Sequence, residues 1–422
     1  MAHQIDEQEH TRRSARGRRT ARLVSSRFGG LPPGFGVLWS STLINRAGTF
    51  IAPFLIIYLT EYHQLPLTST TPILIGYGVG VMLSSPLGGV LADRIGRRHT
   101  MAAGLSMAAV CQVFIAVAHG SILIGAAVFL LGLVGDIFRP AANALVADSV
   151  PESDQTRAYG LLHWALNLGM PVAAVGAGWF STHSWTLLFL IDALSSLVCA
   201  VLVLTRLPSS LEMRKKPASR QSPPDRGKDA VLSGVCLLTL MSFFLYFQTS
   251  YAVPLQVLDS GLRPSDYGVM MAVNGIFVAV VQPLVGPWLS VLPKAHAIGS
   301  GALLIGTGLF LTGQADTLWL LLVAVALWSV GEIALAALLP SLVAGLAPTG
   351  RRGRYMGAFG ACIGAAGVAA PLGTMAYHPN PTLFWGLCLA LGAAIWPGAV
   401  LLLRASAYQA ARKAPTGSEL RR

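Results

Sequence analysis

The chain has 422 residues, of which 54% are hydrophobic and 11% charged, with a mean hydropathy of +0.61 and a formal net charge of +12. A soluble domain carries about 25% charged residues, so this composition excludes an ordinary soluble protein and points to a membrane protein. The basic excess does not read as nucleic-acid binding: 27 of the 30 Lys and Arg residues fall in alternate loops and the two tails, the distribution of positive-inside topology.

In chain order, residues 1–35 make a basic tail, richest from Arg12 to Arg27, with no apolar core or small-residue cleavage site that would mark a secretory signal. Twelve apolar segments follow, at 36–59, 71–92, 99–118, 121–146, 159–181, 185–205, 232–257, 267–291, 296–314, 317–346, 355–377 and 381–403. Each is close to the roughly 20 residues that cross a bilayer as a helix. Residues 207–230, with Pro208, Pro217, Pro223 and Pro224 among Lys, Arg and Ser, read as a linker that splits the segments six and six. The expected organisation is an all-α integral membrane protein: tail 1–35, six-helix bundle 36–206, linker 207–230, six-helix bundle 231–404, tail 405–422. The charge distribution predicts a multi-pass protein of the cell's inner (plasma) membrane with tails and linker in the cytoplasm. The five cysteines stand apart within apolar segments and lack metal-ligand spacing. No metal or cofactor is expected, and the chain is expected to act as a monomer.

Between segments two and three runs Gly89-Val90-Leu91-Ala92-Asp93-Arg94-Ile95-Gly96-Arg97-Arg98, a charged turn in which Gly96 is free to take positive φ. Segment two carries Gly76, Gly80, Ser84 and Gly88, and segment eleven carries Gly357, Gly360, Gly364 and Gly367. Small-residue stripes let helices approach closely in lipid, and the spacing predicts that these two meet. Five ionisable residues lie inside apolar segments: Arg46, Asp136, Arg139, Asp192 and Glu332. Each costs about 2.5–3.5 kcal/mol at a helix centre; four lie on segments one, four and ten, and Asp192, nearer the outer side of segment six, reads as a packing or hydrogen-bonding residue. Asp136 and Arg139 share a face at i,i+3, continued by Asn143; they read either as a self-neutralising structural pair or, for Asp136, as a working acid. Segment ten offers no basic residue near Glu332, which is expected either to pair with Arg46 or to bind a proton. Burial disfavours a carboxylate's charged form, and a carboxylate that titrates near neutrality suits proton coupling.

The halves repeat. Gly135-Asp136-Ile137 aligns with Gly331-Glu332-Ile333 at an offset of 196, and Arg157 and Gly160 align with Arg354 and Gly357 at 197. Internal repeats of this kind mark secondary transporters, whose sites lie between the repeats near the midplane.

With the loop from Gly89 to Arg98, the phrase Phe138-Arg139-Pro140-Ala141 with Asp148, and Trp328-Ser329-Val330-Gly331-Glu332, the chain resembles the major facilitator superfamily, and within it the twelve-helix multidrug:proton antiporters. The resemblance implies two pseudo-symmetric six-helix bundles with helices one, four, seven and ten around a central cavity. It implies a cytoplasmic gate of Gly89, Asp93, Arg94, Gly96, Arg97, Arg98 and Asp148, in which Asp93 caps helix eleven and Arg97 bridges to Asp148. Asp136 and Glu332 are then the proton-coupling acids, with Arg46 and Arg139 as charge partners. Asn45, Asn143, Tyr246, Gln248, Asn274 and Trp328 are the candidate substrate contacts in an aromatic cavity. Partners are protons, a small molecule and the bilayer, with no nucleic acid. The chain is not expected to be an enzyme, and no Gly-x4-Gly-Lys-Ser/Thr loop points to ATP.

Drug antiporters carry a Gly-Pro pair late in helix five, where this chain reads Gly169-Met170-Pro171-Val172-Ala173-Ala174. Proton-coupled efflux of small amphipathic compounds by alternating access is the leading expectation. Proton-symport import of a sugar, peptide or organic anion stays open, and a non-transporting sensor or scaffold ranks third.

Overall fold

Among residues 31–413, the computed structural model describes all but 33, 50, 208–225 and 348–351. Within them lie twelve helices long and apolar enough to cross a membrane: α1 Phe35–Tyr62, α2 Leu67–Ala92, α3 Arg97–Val117, α4 Ser121–Asn143, α5 Ala158–His183, α6 Trp185–Arg206, α7 Ala230–Asp259, α8 Pro264–Gln282, α9 Lys294–Thr312, α10 Leu318–Leu346, α11 Arg354–Tyr377 and α12 Pro381–Arg404. These are the twelve expected spans, in two six-helix bundles. Most of the expected tails and linker falls outside the described residues, although the helix that ends in α12 continues to Lys413. An even number of spans places both ends of the array on one face, called here the termini face.

Three spans are broken, and a proline accounts for each. A helical proline has no N–H to give and its ring crowds the carbonyl four residues earlier. In α1 the helix stops at Gly48 and resumes at Ile51, because Pro53 cannot serve the Thr49 carbonyl. Thr49 bridges the gap, its N–H donating to the Arg46 carbonyl at 3.2 Å and its hydroxyl to the Asn45 carbonyl at 2.7 Å. In α4 the ladder breaks at Asp136, four residues before Pro140, and the Asp136 carbonyl accepts from Arg139 N–H at 3.2 Å instead. In α11 the break falls after Ala369, beside Pro371.

Segments two and eleven meet as expected, but not through the α2 stripe. The stripe on α2 packs inside its own bundle: a Cβ on Gly80 would stand 2.5 Å from the Phe129 carbonyl oxygen of α4, and one on Gly88 would stand 3.1 Å from Pro140. The helix face toward α11 belongs to Gly78, where a Cβ would be 2.9 Å from the Gly367 carbonyl oxygen. A spacing of four can serve any neighbour, and the sequence pattern alone does not say which.

Several close contacts between bundles lie toward the face opposite the termini. There Thr71 and Thr374 hydroxyls bond at 2.9 Å between α2 and α11, Gly178 and Gly268 bring α5 and α8 together, and Phe54 meets Tyr267 edge-on with centroids 5.1 Å apart. Near mid-span Gly275 packs on Pro171, and Met82 packs on Gly364. Beyond that, toward the termini face, a Cβ on Gly89, Gly357 or Gly360 would meet nothing within 4 Å. There α2 and α11 part, while α5 and α8 stay in contact further down, Asn167 Nδ2 donating to Gln282 Oε1 at 3.5 Å.

Candidate functional site

The break in α4 carries Asp136 and Arg139 side by side. Arg139 Nη2 donates to Asp136 Oδ2 at 2.6 Å, with side chains 63% and 29% exposed respectively. The i,i+3 pair expected from sequence forms, and its arginine is exposed. Asn143 is exposed one turn further on, and its backbone carbonyl accepts from the Tyr159 hydroxyl at 3.1 Å.

Glu332 has different company. It is half-buried on α10 and held by two neutral donors: Tyr246 of α7 donates its hydroxyl to Oε1 at 3.1 Å, and Asn274 of α8 donates Nδ2 to Oε2 at 2.9 Å. The same amide donates to the Ser329 hydroxyl at 2.8 Å, and Ser329 in turn donates to the Val325 carbonyl at 2.7 Å. Asn274 is buried, so its orientation is fixed by these partners. The expected Arg46–Glu332 pair does not form among the described residues. The Arg46 guanidinium reaches Met170 Sδ at 3.6 Å on α5. Arg46 nonetheless lies within electrostatic reach of Tyr77 on α2 and Tyr246 on α7, where the two bundles face each other. Asn45, half-buried beside it, sits just before the α1 break.

Two of the expected substrate contacts are core residues instead. Trp328 is 1% exposed and packs against the α9 backbone at Gly308. Gln248 is fully buried, donating Nε2 to the Phe244 carbonyl at 3.1 Å and to the Ala370 carbonyl at 3.2 Å. The second bond serves a carbonyl at the α11 break, so Gln248 stabilises a kink. Asn274 is a positioning residue for Glu332, and Tyr246 keeps a place at the site. Sequence reasoning missed Ser329 and the Asn274 contact to Glu332. The signal was a serine one turn from Glu332 on α10, but its partner on α8 is 58 residues from Glu332.

Of the loop residues, Gly96 takes φ +87° between α2 and α3, as expected of a left-handed turn. Gly89 and Arg94 are open. Arg97 is half-buried. Arg98 donates to the Leu204 carbonyl, bracing the start of α3 against the end of α6 within one bundle. The side chains of Asp93 and Asp148, and residues 348–351 just before α11, lie outside the described residues. Asp192, the fifth intramembrane charge, is buried against Gln112 of α3, whose Nε2 donates to Oδ1 at 2.8 Å.

A family model, the Major Facilitator Superfamily, matches residues 38–371. The chain belongs to this superfamily. It is therefore a membrane transporter and not an enzyme. A "Na(+), Li(+), K(+)/H(+) antiporter" of Planococcus maritimus is 23% identical over 350 residues, spanning 75% of this chain and 82% of that protein. "Multidrug resistance protein MdtH" of Cronobacter sakazakii is 27% identical over 306 residues, spanning 70% and 74%. Among solved structures, a POT family transporter in complex with 5-aminolevulinic acid superposes with a TM-score of 0.78 at 17% identity, covering 90% of this chain and 97% of that one. At that identity the likeness carries the fold alone.

Proposed function

We propose that the protein is a proton-coupled secondary transporter that exports small amphipathic compounds by alternating access. The observation that carries the reading is Glu332. It is a half-buried carboxylate on a central helix with a hydroxyl and an amide as partners and no cation within ion-pair distance among the described residues. Burial without a counter-charge disfavours the ionised form, while two donors keep the ion accessible. A group so balanced loads and releases a proton as its exposure changes. One charge crossing 100 mV supplies about 2.3 kcal/mol, enough for a roughly fiftyfold substrate gradient.

The positive-inside distribution supports cytoplasmic termini in the plasma membrane. The side on which α2 and α11 part then faces the cytoplasm, ready to take up substrate. Asp93, Arg94, Arg97, Arg98 and Asp148 belong to the turn and helix ends on that side, and in this reading they close it in the opposite state. Asp136 and Arg139 serve as an adaptable ion pair on α4. The printed names of the antiporter and multidrug relatives agree with export. In everted vesicles energised by respiration, accumulation of an amphipathic cationic dye by the wild type, abolished in Glu332→Gln, supports the reading. Equal accumulation in both overturns it.

Import of an organic anion by proton symport is favoured by one observation, the exposure of the Arg139 side chain on a cavity helix. Uptake of labelled carboxylates or peptides by intact cells, driven by inward proton flow, distinguishes it.

A further inference from the structure

At the termini face, away from the space between bundles, a cavity of about 300 Å³ opens between the start of α9 and the end of α12. Its walls are apolar, from Pro293, Val400 and Leu403, and its basic residues are Lys294, His296 and Arg404. No acid lines it, and neither Lys294 nor Arg404 has an ion-pair partner among the described residues.

The local packing builds this shape. Gly299 has no side chain, so the Trp396 ring of α12 lies on the α9 backbone; a Cβ there would stand 2.6 Å from Trp396 Cγ. The ring's Nε1–H then donates to His296 Nδ1 at 3.2 Å. An indole nitrogen is a donor only, so His296 Nδ1 is the acceptor and the ring's proton sits on Nε2, which is left as a donor. The first turn of α9 adds backbone donors, since its N-cap is Pro293 and no side chain caps it. Three side-chain donors, two of them formal cations, thus surround a space whose floor is hydrocarbon. Lys and Arg stems lie on such a floor while their heads reach the polar layer, and a tryptophan beside them is at home at the membrane interface.

We propose that this cavity binds an anionic phospholipid, with Lys294, Arg404 and His296 Nε2–H on the phosphate and Pro293, Val400 and Leu403 against the glycerol and upper acyl chain. Basic pockets between spanning helices hold anionic headgroups in this way. A soluble phosphate shares the headgroup chemistry but has no use for the apolar wall. The site does not depend on the transport reading.

The test uses the full-length protein in nanodiscs of phosphatidylcholine doped with phosphatidylglycerol, followed by native mass spectrometry of co-released lipid. The wild type is expected to retain phosphatidylglycerol at least threefold above its share of the bilayer. Lys294→Ala/Arg404→Ala is expected to lose this enrichment, and Leu403→Trp, which fills the cavity without touching charge, to lose it as well. Arg206→Ala, removing a basic residue at the same face outside the cavity, is expected to keep it; folding of each variant is checked by its elution profile. Equal enrichment in wild type and double variant, or equal loss in Arg206→Ala, overturns the site. Displacement of the lipid by millimolar inorganic phosphate overturns the assignment to lipid.

Discussion

Asp136 and Glu332 occupy matching positions in the two halves and have opposite surroundings. The α4 acid sits at a helix break, paired with its own arginine at 2.6 Å. The α10 acid sits in unbroken helix and takes a tyrosine and an asparagine from two other helices. Arg139 has no basic counterpart on α10, and Pro140 has none at the matching turn. Duplication kept the acid and let its environment diverge. The first acid has a cation beside it, and the second has only neutral donors. In the proposed function, proton exchange falls to Glu332 and Asp136 is a supporting part.

The largest expected effect is that of Glu332→Gln, which removes the titrating group and keeps its shape. Gradient-driven transport in vesicles should be lost altogether. Asn274→Leu sharpens the comparison by leaving Glu332 a single donor. A hydrogen bond to a charged group is worth about 1.5–3 kcal/mol, so proton-coupled rates should fall by about tenfold or more, with a changed pH profile. Asp136→Asn should do less. An exposed pair contributes about 0.2–1 kcal/mol, a change of up to about fivefold in rate, with coupling retained. If Asp136→Asn proved as damaging as Glu332→Gln, the two acids would be equivalent and the contrast would be void. The smallest effect belongs to Gln248→Leu. Losing the bond to the α11 carbonyl should lower thermal stability by about 1 kcal/mol in a melting assay, with substrate range unchanged.

Much of this architecture was legible in the sequence because its signals are one-dimensional. Long apolar runs gave the twelve spans, and the Asp136–Arg139 pair lies within one turn of one helix. Gly96 marked its own turn. The helix breaks at Pro53, Pro140 and Pro371 could have been read from the missing N–H groups. What was not legible depends on which helix faces which. The α2 stripe met α4 rather than α11, and Glu332 found Asn274 rather than Arg46, since partner choice is set by packing between segments far apart in the chain. Trp328 and Gln248 looked like cavity residues by type, and only burial revealed them as core. Polar residues within a span satisfy backbone groups as readily as they greet a substrate, and Gln248 does the former at a proline kink.

The most direct test of the central claim places purified protein in liposomes with a trapped pH indicator and adds an amphipathic cationic dye as substrate. Dye movement coupled to proton flux in the wild type, with flux absent in Glu332→Gln and present in Asp136→Asn, is the predicted result. Dye movement indifferent to both pH difference and voltage, or proton flux undiminished in Glu332→Gln, would contradict it.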